Sequence, residues 1–187
     1  MDRETVIQAQ AGDRRAFVAL MDAIGDRLHA TADHILRDSQ LAEDATQDAL
    51  LTIWRELPRL RDADRFEAWA YRILVNTCRR EGRRASRWLP SLVAGPAHEP
   101  VASDEMGRVA DRDQLERGFR QLSMDHRAVV VLSHYLDLPR ERVAEVLDIP
   151  VGTVESRLHR ALRNLRAAIE ADARPPIDHS THSEVTP

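Results

Sequence analysis

The sequence predicts an all-α protein of two small helical domains joined by a flexible linker. Three observations carry that expectation. Apolar residues recur every three or four positions from about Asp2 to Trp88 and again from Asp104 to Asp172, the period of an amphipathic helix. Between these stretches, LPSLVAGPAHEPVAS (89–103) contains Pro90, Gly95, Pro96 and Pro100, which no long helix tolerates. Aromatic residues are only 4% and glycines only 7 of 187 residues, with little apolar alternation, against a sandwich or barrel.

The elements follow in order. Phe17, Leu20, Met21, Ile24 and Leu28 form one helical stripe, and Leu50, Leu51, Ile53, Trp54 and Leu57 form another. Pro58 ends or bends that second helix. A charged loop, Arg59 to Arg65, leads to a helix marked by Phe66, Trp69, Ala70, Ile73 and Leu74. This helix runs into Arg79, Arg80, Arg83, Arg84 and Arg87, opposed only by Glu81. Beyond the linker, Leu115, Phe119 and Leu122 mark a helix. The run AVVVLSHYL reads as a further, buried helix because no strand partner lies nearby. Pro139 to Leu147 and a last stripe from Val154 through Leu158, Ala161, Leu165 and Ile169 complete the second domain. The domains expected are 1–88 and 104–172, with 173–187 a polar, Pro-containing, disordered tail.

Composition excludes several classes of function. No apolar run approaches the roughly 18 residues that span a bilayer, and the N-terminus lacks a signal-peptide core. A cytoplasmic protein with no membrane insertion is therefore expected. The single cysteine, Cys78, permits no internal disulfide. Arg79 and Arg80 beside it would lower its thiol pKa, but the ordinary reading, a small buried residue, is favoured. His29 and His34 are not spaced as helical metal ligands, and His179 and His182 fall in the tail, so no metal site is expected. No Gly-rich phosphate loop or Ser/His/Asp signature occurs. No catalytic residue and no cofactor are expected. Net charge is −4, and every basic side chain is arginine, the residue with planar donors for phosphates and guanine edges.

The last two helices have the pattern of a helix-turn-helix. Val143, Ala144 and Leu147 face inward, Ile149 plugs the turn, and Pro150 stops the first helix. Val154 and Leu158 anchor the second helix, leaving Glu155, Ser156, His159, Arg160 and Arg163 outward and Arg157 at the margin. Such a face, with Thr153 near its N-terminus, can enter a major groove. A solvated helical hairpin is the alternative. In the first domain, the Arg79–Arg87 strip beside Trp69 has the makings of a single-strand site, basic groups next to an aromatic pocket. The alternative there is a set of charges complementing a helix C-terminus.

Two segments then carry a resemblance. AEDATQDALLTIWREL followed by FEAWAYRILVNTCRREGRR resembles region 2 of bacterial sigma factors, and LSMDHRAVVVLSHYLDLPRERVAEVLDIPVGTVESRLHRALRNLR resembles their region 4. With no domain between them, the chain resembles the extracytoplasmic-function (ECF) type. That resemblance implies a transcription initiation factor that binds core RNA polymerase, directs it to promoter DNA and aids melting, often under stress. It also implies an anti-sigma partner, which no residue here shows. By position, it assigns Asp44, Gln47, Asp48, Leu51 and Trp54 to polymerase docking, although Leu51 and Trp54 also read as core. Arg61, Asp62, Ala63, Asp64, Arg65 and Phe66 correspond to the loop that captures a minus-ten base, with Asn76 placed to read a base edge and Arg79 and Arg80 holding the strand's backbone. Trp69 and Tyr71 match a helix signature that core packing explains equally well. Thr153, Glu155, Ser156, Arg157, His159 and Arg160 correspond to the minus-thirty-five reader. Pro139 stands where the family often has a capping serine, and Glu155 where some members have a basic residue. The rival reading is a dimeric helix-turn-helix repressor acting without polymerase, which leaves the first domain unexplained.

Overall fold

The computed structural model describes residues 2–88 and 106–172. The expected linker and tail lie outside the described residues. Every regular element among the described residues is helical.

Short polar residues start the helices by accepting hydrogen bonds from otherwise orphaned backbone N–H groups. Asp2 caps α1 (Arg3–Gln10), accepting from the Glu4 and Thr5 amides. Asp13 caps α2 (Arg14–Leu36), accepting from Arg15 N at 2.7 Å and Ala16 N at 3.2 Å. Asp38 caps α3 (Ser39–Glu56) through Leu41 N at 2.9 Å. Gly12 turns the chain between α1 and α2 at φ 95°, a region open to glycine at no steric cost. Pro58 does end α3: the chain tightens into a 3₁₀ turn at Leu57–Arg59. A second 3₁₀ turn, Ala63–Arg65, begins under an Asp62 cap and delivers the chain to α4 (Phe66–Trp88).

The second half comprises α5 (Met106–Gln121), α6 (Met124–Val130), α7 (Arg140–Leu147) and α8 (Val151–Asp172). The apolar run is helical as expected, but it widens. Past Val130 it becomes a π-helical turn, Val131–Tyr135, closed by Leu136 N donating to Val131 O at 3.0 Å. Pro139 precedes α7 without a side-chain cap; its carbonyl accepts from Arg142 and Val143 instead. α7 ends at Asp148, which is left-handed at φ 56°.

Amphipathic faces of α1–α4 close one core around Leu20, Leu28, Ile35, Ile53, Leu57, Phe66 and Leu74, all at most 1% exposed. α5 and α6 each pack on α8, and α7 packs on α8 and on α4. The apolar cluster is continuous across both halves. Met124 of α6 bridges them: its terminal methyl lies where a Cβ at Gly82 of α4 would sit. His34 of α2 meets the Tyr135 ring edge-on at 4.4 Å.

Leu74 is fully buried on α4, the helix that carries much of the proposed site. Leu74→Ala should lower unfolding free energy by about 2–5 kcal/mol. Urea denaturation followed by circular dichroism checks this.

Candidate functional site

Three surfaces collect the residues singled out by the sequence. The first is the outer face of α3. Asp44, Gln47, Leu51 and Trp54 are exposed there, and Asp48 is half-buried. Their spacing of three and four residues places them on one helical stripe. Leu51 is 50% and Trp54 48% exposed, so the core reading of these two fails. Trp54 is fixed by an edge-on contact with Phe17 at 4.3 Å, a favourable aromatic geometry. Asp48 Oδ2 accepts from Arg80 Nη2 at 2.7 Å, which ties this face to α4.

The second surface is built from the loop before α4 and one edge of α4. Gln10 Nε2 donates to the carbonyl oxygens of Leu57 (3.2 Å) and Leu60 (2.6 Å), so α1 braces the loop. Asp62 accepts from Asp64 N at 3.0 Å, and Asp64 pairs with Arg3 at 3.5 Å. Together Leu60, Arg61, Asp62, Arg65, Trp69 and Arg72 line a cleft of about 200 Å³, and Glu145 of α7 closes one side. Ala63 is half-buried. Phe66 requires a correction: it is 1% exposed. Its ring anchors α4 in the core and cannot itself meet a ligand. Trp69 is half-buried at the cleft, whereas Tyr71 is a core residue at 2% exposure.

Further along α4, Asn76 is exposed and its Oδ1 accepts from Arg79 Nη1 at 3.4 Å. Arg79 also pairs with Asp125 at 3.1 Å, and Arg80 with Asp48 and Glu81. The strip is basic, but Arg79, Arg80 and Arg84 already hold carboxylates. Sequence reading missed these partners because Asp48 and Asp125 are remote in the chain. It also missed Arg72, which falls one turn before Asn76 on the edge that lines the cleft.

The third surface is the outer face of α8. Val154, Leu158 and Ala161 are buried against Val143, Val146 and Leu147 of α7. Ile149 packs on this core, and its N–H donates to Ala144 O at 3.1 Å. The Pro150 carbonyl accepts from Thr153 and Val154, which starts α8 directly after the turn. Glu155, Ser156, His159 and Arg160 are exposed; Thr153 and Arg157 are half-buried. Ser156 Oγ donates to Thr153 O at 3.1 Å. Glu155 lies 3.8 Å from Arg140, and Arg157 3.7 Å from Asp125.

Cys78 lies outside these surfaces. It is buried, and desolvation pushes its thiol up to about 12 despite the adjacent arginines. Burial is the main cause and the nearby Glu81 carboxylate adds to it, while Arg79 and Arg80 are turned toward carboxylates. No three His, Cys, Asp or Glu side chains among the described residues form a metal-binding group. No helix among them is long and apolar enough to cross a membrane.

Comparison with known proteins finds two family matches along the chain. Residues 20–88 match Sigma-70 region 2, and residues 112–165 match Sigma-70 region 4. The RNA polymerase sigma-H factor of Pseudomonas aeruginosa is 30% identical over 183 residues, spanning 90% of this chain and 94% of that protein. The ECF RNA polymerase sigma factor SigL of Mycobacterium tuberculosis is 33% identical over 168 residues, spanning 86% of this chain and 94% of the relative. Among solved structures, CnrH in complex with the cytosolic domain of CnrY superposes with a TM-score of 0.67 at 31% identity, covering 92% of this chain and 99% of CnrH.

The burial of Cys78 gives a pH signature. A raised folded-state pKa means the stability from the neutral thiol is complete below the ordinary value of 9.0 and is lost as pH climbs toward about 12. The native protein should therefore resist a thiol-reactive dye at pH 8 and react only once unfolded. Cys78→Ser should flatten the decline in stability above pH 9. Dye-labelling rates and urea midpoints across pH 7–10 check both.

Proposed function

The chain belongs to the bacterial sigma-70 factors of the ECF type, and from that premise we propose how its surfaces divide the work of initiation. It is a transcription initiation factor that directs core RNA polymerase to promoters. The observation that carries this is the pairing, in one chain, of a region 2 match at 20–88 with a region 4 match at 112–165. A dimeric repressor would need only the second.

In our reading, Asp44, Gln47, Asp48, Leu51 and Trp54 dock on polymerase. A half-exposed Trp and Leu flanked by acidic and amide groups suit a basic partner helix with apolar contacts. The cleft of Arg61, Asp62, Arg65 and Trp69, with Ala63 and Asp64 shaping its loop, receives an unpaired base of the minus-ten strand. Asn76, with amide donor and acceptor, reads a base edge, and Arg79 and Arg80 follow the backbone. Thr153, Glu155, Ser156, Arg157, His159 and Arg160 face the minus-thirty-five duplex, where Arg160 can pair with guanine and Glu155 can accept from cytosine N4. The factor supplies recognition and strand trapping, and the chemistry belongs to polymerase in the cytoplasm. CnrH, which this chain resembles, is held by the cytosolic domain of another protein; we extend that to an anti-sigma partner here.

Reconstituted transcription with core polymerase on a promoter library tests the reading. Wild type should select a bipartite promoter, and Asp44→Arg should weaken core binding about tenfold with unchanged helicity. Selection of a two-fold-symmetric site bound without polymerase would reject it. Arg160→Ala separates base reading from phosphate contact. A base contact predicts a loss of about 1–3 kcal/mol at one promoter position. A phosphate contact predicts uniform weakening and a salt slope lower by about one unit. Binding to single-base promoter variants at several salt concentrations distinguishes them.

A further inference from the structure

Glu155 is the one acidic residue of α8 before Glu170, in a helix that otherwise carries Arg157, His159, Arg160, Arg163 and Arg166. It stands on the exposed face, near the N-terminal end that a helix-turn-helix presents to base edges. A bare carboxylate there is repelled by every phosphate it approaches. A duplex reader tolerates it only with a cation beside it and a donor in front of it.

The structure supplies the cation. Arg140 opens α7, the helix that crosses the phosphate backbone when a helix-turn-helix docks. Its Nε lies 3.8 Å from Glu155 Oε1, and the two side chains are 57% and 60% exposed. The neighbouring arginines are held elsewhere: Arg142 donates to Glu145 at 2.8 Å, and Arg157 lies 3.7 Å from Asp125. At 3.8 Å the contact is an ion pair and not a hydrogen bond. In water such an exposed pair contributes little. On a duplex, water leaves the groove and the same attraction grows.

The two groups also divide their polar atoms. Arg140 has five N–H donors in a rigid fork. Its Nε faces Glu155, which leaves the Nη groups for a phosphate. Glu155 Oε1 faces Arg140, which leaves Oε2 for a base. In the major groove cytosine presents the N4 donor alone. Adenine sets its N6 donor beside the N7 acceptor, and guanine and thymine present acceptors. A lone carboxylate oxygen is thus matched by cytosine and opposed by the other three.

We propose that Arg140 is a positioning residue for Glu155: it screens that carboxylate from the phosphates and aims its free oxygen at a cytosine amino group, so that the pair, and not Glu155 alone, selects one base of the minus-thirty-five element. The proposal rests on α8 being the minus-thirty-five reader.

Transcription by core polymerase loaded with the full chain, on promoters carrying each base pair at each minus-thirty-five position, tests it. Wild type should favour cytosine at one position by roughly tenfold, and Arg140→Ala should cut that preference to about twofold. Arg140→Lys keeps the charge and should restore part of it. Glu155→Gln should move the preference to adenine, because an amide pairs with N6 and N7 together. Adding Arg140→Ala to Glu155→Gln should leave that new preference unchanged, the non-additivity expected of one unit. Urea midpoints of the free variants should match wild type, since both side chains are exposed. A midpoint that falls in step with the lost selectivity would make Arg140 structural and overturn the proposal. If Arg160→Ala and Glu155→Gln both leave the promoter profile unchanged, α8 is not the reader and the proposal falls with that reading. If Arg160→Ala alters promoter use while Arg140→Ala weakens all promoters alike, or acts equally with and without the Glu155 carboxylate, the reading stands and the positioning role is overturned.

Discussion

The structure depends on one helix being anchored rigidly by one face so that its opposite edge is held in register. α4 buries Phe66, Ala70, Tyr71, Leu74, Val75 and Cys78, each at most 2% exposed. At roughly 1.5–3 kcal/mol for each large apolar side chain removed from water, that face cannot rotate without losing the first domain's core. Its orientation therefore fixes where Trp69, Arg72, Asn76 and Arg79 point. α2 and α3 pack against α4, so the outer face of α3 and the exposed edge of α4 are two sides of one rigid body. The Asp48–Arg80 pair at 2.7 Å sits on the seam between them.

This rigidity explains how an acidic chain can carry basic sites. Net charge of −4 describes the whole molecule, whereas binding responds to local field. Arginines of the cleft and strip lie beside Asp48, Glu81, Asp125, Glu145 and Asp148. Glu81 is buried at 7% exposure and holds Arg80 in place, because an uncompensated buried carboxylate would be costly. The other pairs each have at least one half-exposed partner, and such pairs contribute about 1 kcal/mol or less. They neutralise the strip without committing it, and a denser array of phosphates can take their place. Affinity must then come from several elements engaged together, polymerase and two stretches of promoter.

Much of this was legible in the sequence, for a physical reason in each case. The 3.6-residue period gave α2, α3, α4 and α8, since burial of one face is what makes those helices stable. Pro58 and Pro150 marked breaks because proline cannot continue a helix. The helix-turn-helix was readable because its core residues sit at short, fixed offsets. Phe66 misled because a residue next to a reading loop has the same sequence position whether its ring points in or out. The π-helical turn at Val131–Tyr135 was hidden because the run is apolar throughout and has no period to break. The links between halves were not readable at all. Arg72 and Asp148 are 76 residues apart, and nothing in local pattern selects one carboxylate among many.

Asp148 concentrates this economy of design in one residue. A helix that must stop within one residue needs a left-handed backbone, which glycine adopts freely and asparagine or aspartate tolerate. Glycine would have ended α7 equally well and allowed Ile149 and Pro150 to start the turn. It would have left Arg72 without its partner on α7. Aspartate at φ 56° ends the helix, sets the angle at which α8 departs, and projects a carboxylate across to α4 at 2.8 Å. The departure of α8 and the contact between α7 and α4 thus meet in the same backbone position. A change there that alters charge alone acts on the contact with Arg72, and one that alters φ acts on the turn that aims α8.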